Sequence, residues 1–188
     1  MPSPVLHPAI DVAVVLRKQP VEGAMRRWQS ARWSLDEVVC AEPEFGQVPR
    51  LLHRQGERER WLFPGFTVAL FPDDAEGYYL NLSSPTPGWF VMWRMEEEPG
   101  LAEDCMPIPQ IVTLSYHDAG RWLDAQETVE QVAAPADVVA WLGEFVAQHH
   151  QPEPKRRKRP ESFRALTDRF GNPASVSTEK IRGGNHGG

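Results

Sequence analysis

The sequence contains only two cysteines, Cys40 and Cys105, and it has no long hydrophobic run. Two lone cysteines without a Cys-x-x-Cys pair are typical of small buried hydrophobic residues in a reducing compartment, and they do not indicate a disulfide framework. The apolar run Val12 to Leu16 is only five residues long, which is too short for a signal peptide or a membrane span. We therefore expect a cytoplasmic protein that does not cross a membrane.

The common motifs of catalysis are missing as well. The sequence has no Gly-x-Ser-x-Gly elbow and neither of the glycine-rich phosphate loops. Ser83–Ser84 precedes a proline-rich loop, which favours a turn over a nucleophile. The nearest candidates for metal ligands, His117–Asp118 and His149–His150, do not have the usual ligand spacing. We therefore predict that the protein is not an enzyme and that it uses no cofactor or metal.

The charges are divided unevenly along the chain, whose formal net charge is −6. Residues 1–150 carry 11 Lys or Arg against 22 Asp or Glu, whereas residues 151–188 carry nine against four. This change predicts two parts: a tryptophan-rich β domain with a C-terminal helix at 1–150, and a basic tail at 151–188 that is flexible or docked on a partner. Nucleic acid is an unlikely ligand of the acidic part, because phosphates would repel it.

Short strand signals recur through the first part, separated by turn residues. They are found at 11–17, 32–40, 50–54, 60–63, 66–71, 78–82, 89–94, 111–116, 122–123 and 128–132. This spacing favours an antiparallel β-sandwich or open barrel over a parallel sheet. The aromatic segments 78–82 and 89–94 predict a hairpin. The expected fold class is therefore mainly β within the α+β class.

One C-terminal amphipathic helix is clearly indicated before residue 150. Pro135 suits the first position of a helix, and Asp137 suits the positive end of the helix dipole. Apolar side chains then recur at spacings of three and four. They are Val138, Trp141, Leu142, Phe145 and Val146, followed by His149. We expect this helix to pack across the sheet.

The tail combines a basic run with a short apolar pattern. Like charges at this density extend a chain, so the run is typical of a linker or an electrostatic contact. Because no aromatic residue interrupts the run, a protein contact is favoured over a base-reading surface. The predicted partner-binding residues are Lys155, Arg156, Arg157, Lys158, Arg159, Phe163 and Phe170.

Two other functions remain open at this point. Nucleic-acid binding through residues 155–159 is one. The other is a ligand cup in the β domain, in which aromatic walls such as Tyr78, Tyr79 and Trp93 stack on a ring. The seven tryptophans are expected to be mostly core, with one or two exposed at an interface.

Four segments carry a resemblance to a known family: 27–33, 76–82, 89–94 and 153–160. Together they resemble an uncharacterised bacterial family, domain of unknown function 3305, whose genes lie beside those of molybdenum-dependent formate dehydrogenases. The resemblance covers roughly residues 10–163. It implies a non-catalytic accessory protein or additional small subunit of such a dehydrogenase, with formate dehydrogenase subunits as the partner. It also makes the pterin cofactor the natural ring for a carrier or chaperone role.

Members of that family have sometimes been labelled as a guanylyltransferase of molybdenum-cofactor biosynthesis. Such an enzyme has a nucleotide-binding α/β fold with a glycine-rich loop near its N-terminus. Here Arg17–Lys18 follows the first strand signal without a glycine loop. The sequence therefore argues against that activity.

Overall fold

The computed structural model describes residues 6–98 and 105–152. Within these ranges, four strands come first, and the three α-helices are interspersed with the remaining three strands. In chain order they are β1 (Ala9–Pro20), β2 (Ala31–Cys40), β3 (Arg50–Gln55), β4 (Arg58–Ala69), α1 (Ala75–Leu82), β5 (Gly88–Met95), β6 (Pro107–Thr113), α2 (Tyr116–Asp124), β7 (Thr128–Ala133) and α3 (Ala136–His149). The strands form two open antiparallel sheets, ordered β2-β1-β4-β3 and β6-β5-β7. The predicted α+β class with antiparallel sheets is confirmed.

Strand β1 lies at the centre of the first sheet, and Val12 to Leu16 are completely buried. Its alternate side chains point to opposite faces, as in any strand. Val12, Val14 and Leu16 join the main core, whereas Ala13 and Val15 pack with Leu62 in a smaller cluster. Because both faces of β1 are buried, the run Val12 to Leu16 is apolar at every position and does not alternate with polar residues.

Two irregularities explain how the sequence pattern maps onto the first sheet. The first is a bulge at Asp36 in β2, where the register moves from Glu37 to Leu35. The segments 60–63 and 66–71, predicted as separate strands, belong mostly to one strand, β4. That strand bulges at Pro64–Gly65, where Gly65 has a φ of 96°, a conformation that glycine adopts without strain.

The predicted aromatic hairpin is wrong in its first half. Residues 75–82 form helix α1 instead of a strand, and only β5 is extended. Within α1 the buried side chains include Ala75, Tyr78 and Asn81, which follow each other at the helical spacing of three. Aromatic residues favour strands in general, but here burial against α3 determines the conformation.

The strand predicted at 122–123 is also wrong, because these residues lie in helix α2. The side chain of Ser115 caps this helix by accepting a hydrogen bond from the backbone N–H of Asp118, at 3.3 Å. The strand predicted at 111–116 is shifted: β6 runs from Pro107 to Thr113. Its two prolines are tolerated because β6 is an edge strand.

Helix α3 is found where the sequence predicts a helix, but it begins at Ala136, and Pro135 is its extended N-cap residue and not its first helical residue. Its stripe is buried at Val138, Leu142, Phe145 and Val146, and these side chains share one core cluster with residues of both sheets. His149, the last predicted member of the stripe, is exposed. The nearest element to α3 is α1, through an edge-to-face contact of Phe145 with Tyr78 at 5.8 Å between ring centroids.

Candidate functional site

Two of the three connections in the first sheet, β1 to β2 and β3 to β4, lie at the same end of that sheet. This follows from the antiparallel register, which pairs Lys18 with both Trp33 and Glu59. An ion pair joins the connections, with 3.4 Å between a guanidinium nitrogen of Arg26 and a carboxylate oxygen of Glu57. We call this region, residues 21–30 with the turn at 56–57, the hairpin end.

The hairpin end exposes a large apolar surface at Trp28 and Met25. The Trp28 side chain is 87% exposed and that of Met25 is 61% exposed. Both belong to a short 3₁₀ turn, Gly23–Arg27, and its cap residue. Trp28 is thus the one exposed tryptophan in the described ranges, where one or two were expected. Trp61 and Trp89 are buried in the core, and Trp33, Trp93 and Trp141 are partly buried against it.

The arginines at this end of the sheet are of two kinds, those that form an ion pair and those that do not. Arg17 and Arg60 both pair with Asp36, at 3.5 and 2.6 Å. Burial alone would lower the pKa of Arg60, but its hydrogen bonds and charge interactions with Asp36 and Glu37 raise it. These guanidinium groups are therefore held by carboxylates of the sheet itself.

Other arginines at the same end are available for a partner. Within the described part of the chain, Arg27, Arg32 and Arg58 have no ion pair. Lys18 lies over the ring of Trp33, at 5.8 Å from its centroid. Of the two arginines within the hairpin end itself, Arg26 is paired with Glu57, whereas Arg27, which precedes the exposed Trp28, has no ion pair among the described residues.

A carboxylate joins the two sheets beside the hairpin end. One oxygen of Glu130, on β7, accepts hydrogen bonds from the backbone N–H of Leu35 at 2.8 Å and from the indole N–H of Trp93 at 2.9 Å. Leu35 lies on β2 and Trp93 on β5. Glu130 therefore links the edge of the first sheet to the second sheet, along what we call the seam.

On the hairpin side of Glu130 the seam opens into a groove of about 620 Å³. This volume is within the usual range of ligand sites. The wall from the first sheet includes Lys18 and the segment 29–33, and the wall from the second sheet includes Trp93 and Thr128. Met95, Cys105 and Glu130 complete the lining. We call this space the seam groove.

The two parts of the domain differ sharply in charge. Residues 17–60 carry nine Lys or Arg against seven Asp or Glu, whereas residues 61–150 carry two against 14. The acidic character predicted for residues 1–150 as a whole therefore belongs to the second sheet and its helices. The charge division predicted from the sequence separates residues 1–150 from 151–188 only. Counting charges separately in 17–60 and 61–150 would have indicated where the cations of the domain lie.

The predicted partner-binding residues are not tested here. Lys155, Arg156, Arg157, Lys158, Arg159, Phe163 and Phe170 all lie outside the described residues, and so does the rest of the tail after 152. They stay a prediction.

The predicted aromatic walls do not come together. Tyr78 is a core residue whose hydroxyl accepts a hydrogen bond from the backbone N–H of Phe71 at 3.1 Å, and burial raises its pKa to about 12. Tyr79 is exposed and stacks on His150, with 4.3 Å between ring centroids. Of the three proposed walls, Trp93 alone lines the seam groove.

The histidines considered as metal ligands and the two cysteines have the following positions. His150 contacts a carboxylate oxygen of Glu76 at 2.5 Å, and no group of metal ligands is found in residues 6–98 and 105–152. Cys40, expected to be buried, is exposed. Its register opposite Val12 places it on the core face, but it is the last residue of an edge strand and lies beyond the covered part of that face. Cys105 is partly buried and free.

The sequence profile of a family described as "Protein of unknown function (DUF3305)" matches residues 11–159. Because this match covers most of the chain, the protein belongs to that family. No curated protein and no solved structure matches the chain. Among the helices in the described ranges, none combines the length and apolar character needed to span a membrane.

Proposed function

We propose that the protein is a non-catalytic accessory protein or additional small subunit of a molybdenum-dependent formate dehydrogenase system, and that it acts by binding proteins. The protein-binding part of this proposal is carried by the exposed indole of Trp28. Tryptophan and arginine are the residues most enriched at the energetic centres of protein interfaces. At the hairpin end an indole that is 87% exposed adjoins Arg27, which has no ion pair within the described part of the chain.

The identity of the partner rests on the sequence resemblance described above. Its members are encoded beside molybdenum-dependent formate dehydrogenases, and proteins that act together are often encoded together. The match over residues 11–159 supports membership in the family, and the dehydrogenase as partner is our proposal. A cytoplasmic location is part of the same proposal.

Affinity purification from the native host tests the proposal. The full chain, tagged at its N-terminus, is expected to recover formate dehydrogenase subunits, and Trp28→Ala is expected to reduce the recovery about tenfold or more, as loss of an interface anchor does. Leu123→Ala is the matched control, because Leu123 is 56% exposed on α2 and far along the chain from the hairpin end. Failure of the wild-type chain to recover any dehydrogenase subunit contradicts the proposal.

A second candidate function is a small-ligand carrier, and the seam groove favours it. Trp33 and Trp93 both line the groove, and Glu130 presents a fixed carboxylate beside them. A planar ring such as a pterin could stack there and donate hydrogen bonds to the carboxylate. Titration with pterin should then change the tryptophan fluorescence, and Trp93→Leu should remove most of the change. An unchanged spectrum contradicts this function.

Nucleic-acid binding through residues 155–159 stays a prediction of the sequence. Deletion of these five residues should abolish DNA retention at low salt if that function is real. Equal retention before and after the deletion would eliminate it.

A further inference from the structure

The edge of β2 beside the seam groove has backbone groups that point away from its own sheet. Strand β2 is the outermost strand of the first sheet, so that only β1 pairs with it. In an antiparallel pair, residues alternate between those that bond to the partner and those whose N–H and C=O point outward. The N–H of Leu35 points outward, because Glu130 accepts its hydrogen bond.

The same alternation determines which other groups point into the groove. The register is regular from Leu35 to Ala31, so Trp33 and Ala31 also direct their N–H and C=O outward. The backbone N–H of Val21 donates to the C=O of Ser30 at 3.1 Å. The backbone groups of Ser30, and by alternation those of Arg32 and Ser34, therefore point inward to β1. Both Ala31 and Trp33 line the seam groove. An open strand edge therefore forms part of its wall.

We propose that the seam groove binds an extended acidic segment of a partner protein, which adds as a short strand to the edge of β2. The proposed function supplies only the identity of that partner, and the site is argued from the structure. Addition of a strand to an exposed edge is a common form of peptide recognition: main-chain hydrogen bonds provide affinity, and side-chain pockets provide specificity.

The length of the open edge limits the segment. Outward groups at Ala31 and Trp33 allow about four main-chain hydrogen bonds. The next outward N–H, that of Leu35, already donates to Glu130, so the open part of the edge ends there. The indoles of Trp33 and Trp93 then provide apolar contact for one or two side chains of the segment.

Charge complementarity favours an acidic segment. Among the described residues that line the groove, Lys18 and Arg32 are the cations and Glu130 is the one carboxylate, and one oxygen of Glu130 already accepts two hydrogen bonds. Arg32 has no ion pair within the part of the chain that the structure describes. A second copy of this chain would bring the same cations to the edge, so self-pairing is disfavoured.

The test uses the full chain and a fluorescein-labelled peptide in which valine alternates with glutamate around one central phenylalanine. Binding is measured by fluorescence anisotropy. We expect saturable binding that the same peptide with lysine in place of glutamate does not show. N-methylation of alternate peptide nitrogens should also abolish binding, because it removes the main-chain donors.

Two pairs of variants locate the site. Ala31→Pro removes an outward N–H without removing a bond of the β1–β2 ladder, and proline is tolerated at the first residue of an edge strand. It should weaken binding about tenfold, whereas Ala31→Ser, which keeps the N–H, should not. Arg32→Glu should weaken binding, and Arg50→Glu should not, since Arg50 lies on β3, at the opposite edge of the sheet from β2. Thermal unfolding confirms that each variant is folded.

Several results would overturn the inference. They are equal binding by Ala31→Pro and Ala31→Ser, an Ala31-dependent dimer in sedimentation velocity, preference for a single-stranded oligonucleotide over the peptide, and binding of pterin but not peptide. Failure of the proposed function looks different. In that case the peptide binds in an Ala31-dependent manner, yet no dehydrogenase subunit is recovered from the host. Conversely, recovery that depends on Trp28 but not on Ala31 supports the function and contradicts this site.

Discussion

The first sheet and the second sheet with its helices use their polar groups in different ways. In the second, buried polar side chains connect elements: Asn81 and Ser115 are completely buried, and each is hydrogen-bonded. In the first, most polar side chains are arginines and carboxylates at the surface, and the hairpin end exposes Trp28. The comparison indicates that the second half is organised mainly for stability and the hairpin end for contact.

The largest expected effect on stability is in the second half, at Asn81. Its amide nitrogen donates to the C=O groups of Gly88 and Leu114, both at 2.9 Å, and its oxygen accepts from the N–H of Gly88 at 3.0 Å. Asn81→Ala leaves these buried groups unpaired, and urea unfolding should show a loss of about 3 to 5 kcal/mol. Gln131→Ala, which removes one exposed hydrogen bond, should cost much less. Equal losses of stability in the two variants would contradict the stabilising role assigned to buried polar side chains in the second half.

The contact of α1 with the start of α2 gives the next effect. A methyl group on Gly77 would lie 2.4 Å from the hydroxyl oxygen of Ser115, which is completely buried. Gly77→Ala should therefore destabilise the fold by about 2 to 3 kcal/mol in thermal or urea unfolding. Gly143→Ala, on α3, meets no atom within 4 Å and should stabilise it by about 0.5 to 1 kcal/mol. The same sign for both variants would contradict the packing described.

The buried Tyr78 should make the second half sensitive to alkali. Its pKa is raised from 10.0 to about 12, first because of burial. The phenol is thus harder to ionise in the folded state, and stability present below pH 10 is lost as the pH rises towards 12. Unfolding free energy should fall by up to about 2 kcal/mol over this interval. Tyr78→Phe should flatten the fall, whereas Tyr79→Phe, at an exposed position, should leave it unchanged; equal slopes would disprove the assignment.

A smaller effect is expected where the two halves meet. Glu130→Ala removes the acceptor of Leu35 and Trp93 at a partly buried position, and it should cost about 1 to 2 kcal/mol. The indole emission should shift as Trp93 becomes hydrated. Glu127→Ala, which breaks an exposed ion pair with Arg94, serves as the control. An unchanged emission spectrum in Glu130→Ala would show that this carboxylate does not join the sheets.

The first half of the fold was largely predictable from the sequence, and the second half was not. The β-branched run Val12 to Leu16 can form little other than a buried strand. In the second half, Tyr78 and Tyr79 suggest a strand by their residue type, yet Asp73–Asp74 before Ala75 is a helix-start signal. Likewise Ser115 followed by Asp118 matches a capping pattern. In both segments the helix-start signal outweighs the strand propensity of the residues that follow it.

The candidate site could be predicted only in part. An exposed tryptophan was expected, but the sequence does not say which one it is. The bond from Leu35 to Glu130 joins residues 95 positions apart, and one sequence contains no local signal for such a pair. The seam groove is lined by residues of both sheets, from Lys18 to Glu130, so its lining could not be assembled from local patterns.

The most direct test of the central claim is photo-crosslinking from the hairpin end in the native host. A photoreactive phenylalanine derivative replaces Trp28 in one strain and Leu123 in another, both exposed positions. We expect position 28 to crosslink to a formate dehydrogenase subunit, identified by mass spectrometry, and position 123 not to do so. Crosslinks to a dehydrogenase subunit from position 123 alone, or from neither position, would contradict the account.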